Sequence, residues 1–401
     1  MSKKIAIIIP RASKDLTGGA ESYSIAMAES LSKNHIVNIL TTTAKDSLTW
    51  KNYYEVGQEK VHQNLIIKRF LVDMERPDEF WQLNGIIQKN TSLEKYHSLS
   101  QKLKKKLIYS IQGTAIPICE KWIRLQGPSS KGLYNYLEEN QDDYDIFVFV
   151  TYLYATTYFG IEKIRNPHKI FILPTYHNEP VAYLPAFQKY DKLLHLFLTH
   201  AEQEFAEKEI YKSQTSSKIL GFGLPPSEGF KPLARRETYF LYAGRLEKGK
   251  GVLELFCMFE KYCKIHKDVY LYCIGQGELQ DYKSEHIIYQ GFVSEKQKYD
   301  LMEGAVAFLH PSAYESLGIV LLESFMVGTP AIVNGHSQVL REHIQNSCAG
   351  FYYWNEEEFF NFMDKTLFDK TLRKNFSQNA RSYFLKFYSL LEYEKRLFVH
   401  F

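Results

Sequence analysis

No apolar run in this 401-residue sequence reaches the roughly 20 residues that a membrane-spanning helix needs. Cysteine is scarce. Cys119, Cys257, Cys263, Cys273 and Cys348 are odd in number and form no C-x-x-C pair. That excludes a disulfide framework and a zinc ribbon, and fits reduced core thiols. Charge of either sign is nearly absent on balance: 49 Lys and Arg against 46 Asp and Glu leave +3. So small an excess does not point to nucleic acid. There is no internal repeat, no low-complexity tract and no G-x-G-x-x-G of the dinucleotide-binding kind. The opening MSKKIAIIIP has two lysines and a short apolar run but no small-residue cleavage site. It reads as a first strand rather than a signal peptide, so the expected location is the cytoplasm.

The sequence is rich in aromatics, at 15%, and long enough for two ordinary domains. The first half alternates strand and helix patterns, which predicts an α/β domain with a parallel sheet. Strands are expected at Lys4–Ile9, Val37–Thr41, Leu65–Phe70, Asp145–Val150, Ile170–Leu173, Leu193–Leu198 and Lys218–Gly221. Gly18 and Gly19 precede a helix over Ala20–Lys33, where glycine lets backbone approach a ligand; a plain tight turn fits equally. Asp78–Leu125 has helical periodicity with Lys102, Lys104, Lys105 and Lys106 clustered among Leu103, Leu107 and Ile108. That cluster reads either as a solvated helix face or as a weak anchor on anionic lipid at the inner membrane surface. Tyr152, Tyr154, His177 and Asn178 fall just beyond strand ends, where ligands bind in open α/β sheets.

Gly223–Arg236 is rich in Pro and Gly and reads as a linker. A second α/β pattern starts at Tyr239 and leads into Gly244-Arg245-Leu246-Glu247-Lys248-Gly249-Lys250-Gly251. A basic glycine loop between strand and helix suits a phosphate, with charge from Arg245 and Lys250; an ordinary surface loop is the alternative. Further on, AFLHPSAYESLGIVLLESFMVGTPAIV (307–333) reads strand, loop, helix, turn, strand. Here the helix is expected to open at Glu315-Ser316-Leu317-Gly318 and to run on to Met326. Glu315 and Glu323 would then lie two turns apart on one side. Gly328 and Pro330 would end it.

Pro311, Ser312, Glu315, Gly318, Glu323, Gly328 and Pro330 fall in the register P-S-x-x-E-x-x-G-x-x-x-x-E-x-x-x-x-G-x-P. This resembles the signature of retaining GT-B glycosyltransferases of family four, the glycosyl transferases group one. The 244–251 loop is similar to that family's G-R-L-x-x-x-K-G. The resemblance implies a GT-B fold: two Rossmann-like domains with parallel sheets facing across a cleft. It divides the chain into an acceptor domain (1–222), the linker (223–236), a nucleotide-sugar domain (237–380) and a final helix (381–401) crossing back to the first domain. There Phe387, Tyr388, Leu390, Leu391 and Tyr393 would pack.

The implied activity is transfer of a sugar, with retention, from a nucleoside diphosphate sugar to a glycan or lipid-linked acceptor, in cell-surface polysaccharide or lipopolysaccharide synthesis. Glu315, His177, Arg245 and Lys250 carry the implied catalysis. Donor contacts would include Gly19, Gly275, Phe292, Val293, Glu315 and the backbone of Ser316, Leu317, Gly318 and Ile319. Glu323 would take the ribose hydroxyls, and Tyr152, Tyr154 and Asn178 the acceptor. Asn178 stands where many members have an acid. No metal or other cofactor is expected, because Asp143-Tyr144-Asp145, a D-x-D by spacing, precedes a strand instead of following one. Three other readings share parts of this pattern: a GT-B nucleotide-sugar epimerase, a phosphorylase whose cofactor lysine no motif supports, and an inactive scaffold subunit.

Overall fold

The structure, a computed structural model, describes residues 2–13, 16, 18–91, 116–225 and 237–401. The lysine cluster at 102–106 and most of the expected linker, 226–236, lie outside the described residues. Two compact units emerge: Met1–Leu220 together with Leu397–Phe401, and Gly221–Arg396.

The first unit runs β1 (Lys4–Ile8), α1 (Gly19–Leu31), β2 (Ile36–Thr42), β3 (Gly57–His62), β4 (Leu65–Phe70), α2 (Asp78–Thr91), α3 (Ile116–Gln126) and α4 (Lys131–Asn140). It continues through β5 (Ile146–Val150), α5 (Ala155–Ile161), β6 (Ile170–Leu173), β7 (Leu194–Phe197), α6 (His200–Phe205) and β8 (Ser216–Ile219). The sheet order is β3-β4-β2-β1-β5-β6-β7-β8, parallel except for β3 on β4. Central strands such as IFVFV (146–150) are buried along their whole length because both sheet faces are covered. Phe147, Phe149, Trp122, Tyr152, Tyr176 and Tyr190 make a strongly aromatic core.

The second unit holds β9 (Thr238–Ala243), α7 (Val252–Cys263), β10 (Val269–Ile274), β11 (Ile287–Gly291), α8 (Glu295–Gly304), β12 (Phe308–His310), α9 (Ile319–Val327), β13 (Ala331–Asn334), α10 (Gln338–Ser347) and β14 (Gly350–Tyr353). Three helices close it: α11 (Glu356–Phe368), α12 (Lys370–Phe387) and α13 (Leu390–His400). Its sheet is wholly parallel, in the order β11-β10-β9-β12-β13-β14. In each sheet the winding direction reverses once, between β1 and β5 and between β9 and β12. The carboxyl ends of strands at such a reversal leave a crevice in which ligands sit.

One expectation needs correction, and the structure adds features that the sequence did not mark. The helix after β12 begins at Ile319, not at Glu315: Gly318 has φ +74, which no right-handed helix accommodates, so 315–318 is a loop. The segment 206–211 is a π-helical turn following α6. The polar strand β3, unmarked by any apolar alternation, pairs antiparallel on β4. Tyr388 packs against His343, and Tyr393 against Phe222. Phe387 and Leu391 are exposed. Only Leu397–Phe401 groups with the first unit, where Phe401 stacks on Phe171.

One side chain fixes the strand ends of the first unit. Glu202, in a helix capped by Thr199, is buried and receives Tyr176 N–H at 2.8 Å on Oε1 and Leu198 N–H at 2.7 Å on Oε2. Burial pushes its carboxyl up to about 8, against the pull of those backbone donors. Glu202→Ala leaves two buried N–H groups without partners, each costing about 1–3 kcal/mol. The expected outcome is a lower thermal midpoint with faster amide exchange at Tyr176 and Leu198. Unchanged exchange at both amides would refute the brace.

Candidate functional site

At the reversal in the second sheet, three loops lie against one another. Past β9, Gly244 N–H donates to Ile274 O at 2.9 Å and Leu246 N–H to Gln276 O at 3.0 Å. Gly275 N–H donates to Gly291 O at 2.9 Å. The contact is too close for side chains. A Cβ on Gly275, at φ +126, would stand 2.0 Å from Gly244 O. One on Gly251 would stand 2.6 Å from Pro311 O.

This crowding brings Lys250, at the end of a 3₁₀ turn, to 2.7 Å from Glu315 Oε1. Both side chains are mostly shielded, at 29% and 16% exposure. Arg245 points outward, 66% exposed, and pairs with Glu247 at 3.2 Å. Glu315 is held on a loop instead of a helix. Ser312 Oγ donates to Tyr314 O at 3.0 Å, Asn334 Nδ2 donates to Pro311 O at 2.8 Å, and Leu317 O accepts from His343 Nε2 at 2.8 Å. A carbonyl only accepts, so that nitrogen carries the proton and Nδ1 takes Tyr383 O–H at 3.1 Å. Burial lowers His343 to about 4, which keeps it neutral. His310, also lowered to about 4 by burial, sits 3.9 Å from Glu315, with a buried Nδ1 that has no partner. The N-terminus of α9 follows, supplying N–H groups without intrahelical acceptors behind Ser316 and Leu317.

Glu323 lies on α9 while Glu315 lies on the loop before it, so the expected two-turn helical spacing does not relate them. Its carboxylate meets Lys298 Nζ at 2.6 Å and Tyr299 O–H at 3.4 Å. Phe292 is 66% exposed just before Ser294, whose side chain caps α8 in a capping box with Gln297.

The first unit assembles a separate cluster at the ends of β5 and β6. Thr151 and Thr175 both have positive φ, 66 and 57, a costly conformation for a β-branched residue. His177 Nε2 lies 3.3 Å from Glu179, and Tyr152 O–H donates to the same carboxylate at 2.5 Å. Burial alone would raise the Glu179 carboxyl; His177 and Tyr152 outweigh it and hold the group below its usual range. An acid therefore accompanies His177, one residue later than the position of Asn178. Asn178 accepts a hydrogen bond from Tyr183 instead, at 2.7 Å. Tyr152 is fully buried, with its hydroxyl turned to Glu179. Tyr154 is partly exposed and stands edge-on to Trp50 at 5.5 Å. Gly19 opens α1, whose Glu21 pairs with Arg11 beyond β1. Asp145 accepts Lys4 N–H at 2.8 Å, at the opposite end of the strands.

Glu179, Lys298, His310, His343 and Arg11 are absent from the sequence-based site. Glu179 had a usable signal, an acid two residues past a histidine at a strand end. Lys298 and His343 had none, since their partners lie 25 and 26 residues away on other elements.

Two parallel α/β units with glycine-lined loops at the reversal define a protein of the GT-B fold. Residues 227–383, a stretch within the second unit, match the model of the family described as glycosyl transferases group 1. An uncharacterized glycosyltransferase of Methanocaldococcus jannaschii is 28% identical over 156 residues, 36% of this chain and 40% of that protein. The match thus spans well under half the length of that relative. Among solved structures, sucrose-phosphate synthase from Thermosynechococcus elongatus superposes with a TM-score of 0.69 at 13% identity, over 99% of this chain and 98% of its own. HepE of Anabaena, solved with UDP and glucose, gives 0.65 at 13% identity over 99% of both chains.

Gly275→Ala tests the loop packing. The backbone conformation alone should cost about 1–3 kcal/mol, and the methyl must also push Gly244 away. The thermal midpoint should fall; an unchanged midpoint would show that the loops do not touch.

Proposed function

We propose that this chain is a retaining glycosyltransferase. It moves a sugar from a nucleoside diphosphate donor held by the second unit to a glycan or lipid-linked acceptor held by the first. Cell-surface polysaccharide or lipopolysaccharide synthesis at the cytoplasmic membrane face is the setting this reading favours. Among the described residues, no helix is long and apolar enough to cross a membrane.

The observation that carries the reading is the shielded Lys250–Glu315 pair between glycine loops at the sheet reversal. As the bond to the anomeric carbon breaks, negative charge builds on the departing diphosphate. Lys250, Arg245 and the α9 N-terminus supply fixed positive potential there. Glu315 orients Lys250 and offers its carboxylate to the sugar. The His310 imidazole, neutral beside it, can accept from or donate to a sugar hydroxyl. On this reading His177, backed by Glu179, serves the acceptor held by the first unit. The chain's own cations take the role that a divalent ion plays elsewhere.

A thermal-shift panel of UDP, GDP, ADP and CMP tests the reading, because a bound ligand stabilises with the logarithm of its saturation. One diphosphate should stand out. Lys250→Ala or Arg245→Ala should then weaken it at least tenfold, as charged hydrogen bonds contribute about 1.5–3 kcal/mol. Affinity for the matching nucleoside should barely change. Equal losses for both ligands would place these side chains away from phosphate.

Turnover should also survive EDTA. Abolition by the chelator, with rescue by magnesium or manganese, would overturn the metal-free mechanism.

A further inference from the structure

Glu323 is a carboxylate in the wrong place for one. It lies on α9 among Leu321, Leu322, Phe325, Met326 and Val327, and only 10% of its side chain is exposed. A lone buried carboxylate takes up a proton rather than remain charged. A protonated Glu323 would be a poor acceptor for two hydroxyls. One cation meets it: Lys298 Nζ, 2.6 Å from Oε1 and itself 23% exposed.

Lys298 is held in turn. It sits one turn into α8, whose start is pinned by the reciprocal Ser294 and Gln297 bonds. Its ammonium also lies 4.7 Å from the Tyr299 ring centre. Tyr299 O–H is 3.4 Å from the same Glu323 oxygen and 3.0 Å from Glu295 Oε1. A phenol has one proton, so it cannot satisfy both carboxylates. Both contacts to Glu323 fall on Oε1, and Oε2 is the oxygen they do not use.

We propose that Lys298 is a positioning residue that keeps Glu323 charged and presents its second oxygen to the pentose of the donor nucleotide. This rests on the donor reading above and extends it. Recognition of the ribose then depends on α8, the helix that follows the exposed Phe292–Val293 loop, as much as on α9.

The groups facing Glu323 set the sign. Burial wins and leaves its carboxyl above the usual range; Lys298 pulls it down, Glu295 pushes it up and the Tyr299 hydrogen bond pulls it down. On the neighbouring α12, Tyr383 packs on Phe325, and Arg381 acts on Glu303 of α8. His310 of β12 faces Glu315. With Lys298 gone, Glu323 should protonate at higher pH. Nucleotide affinity should then fall as pH drops through the neutral range.

The experiment is titration calorimetry from pH 5.5 to 9 with whichever of UDP, GDP and ADP binds tightest. The full chain is compared with Lys298→Met, Lys298→Arg, Glu323→Gln and the Lys298→Met/Glu323→Gln pair. The nucleotide's own phosphate titrates in this range, so the quantity read is the ratio of variant to parent Kd at each pH. For Lys298→Met the ratio should stay within about threefold at pH 9 and widen to at least tenfold by pH 6, approaching tenfold per pH unit below the shifted pKa. Lys298→Arg should stay near unity. Glu323→Gln should be weaker than the parent at high pH, with the gap closing as pH falls. In that background Lys298→Met should add less than twofold, which separates a charge effect from a disturbed α8.

A pH-independent ratio for Lys298→Met beside a pH-dependent loss in Glu323→Gln overturns the role of Lys298 and leaves the donor reading standing. Binding by Glu323→Gln equal to the parent at every pH removes the ribose contact, and this proposal with it. Failure of every diphosphate to bind removes the donor reading itself.

Discussion

The ion pair between Lys250 and Glu315 is the constraint on which the second unit turns. Lys250 ends a 3₁₀ turn that glycines press onto the Pro311 carbonyl, and Glu315 rides a loop that would otherwise lack regular structure. A shielded pair of this kind is worth little as stability, since desolvation offsets much of the attraction, but losing one partner leaves a charge stranded. Its value is geometric. It joins the loop after β9 to the loop after β12, the two strands between which the sheet reverses. His343 completes the arrangement from behind by fixing the Leu317 carbonyl. Being neutral, it adds no charge of its own to the neighbourhood.

The first unit solves an analogous problem with different chemistry. Its loops after β5 and β6 pass through positive-φ threonines, and buried polar groups hold them there. Glu202 ties the loop after β6 to the end of β7, and Glu179 gathers Tyr152 and His177. Each of these carboxylates works because hydrogen-bond donors or a histidine surround it. For Glu179 the partners outweigh burial and hold the group below its usual range, whereas for Glu202 burial wins and pushes the carboxyl up to about 8.

Much of this was legible in the sequence. Continuous apolar runs marked most of the parallel strands within two residues, because a strand covered on both faces carries few polar positions, but β14 (Gly350–Tyr353) was not among them. The glycine and basic residues at 244–251 and the acids at 315 and 323 could be located because loop chemistry is local. The start of α9 was misplaced because Glu315-Ser316-Leu317 has the composition of a helix first turn, while the decisive feature is the left-handed Gly318. Glu179, Lys298 and His343 escaped because their meaning comes from partners that the fold supplies. The strand β3 escaped because GQEKVH has no apolar face to betray it.

That inconspicuous strand has a consequence for how the molecule lives with its neighbours. Without it the sheet would end on β4, LIIKRF, whose open backbone and apolar side chains would invite another chain to add on. β3 occupies those backbone groups and turns outward a border of Gln58, Glu59, Lys60 and His62, with Glu59 reaching across to Arg69. Side chains of this kind make a poor template for further pairing. The protein thus carries its own guard against pairing along the β3 edge of its larger sheet. The guard is made of residues with no part in chemistry, and its worth shows only where the chain is crowded by copies of itself.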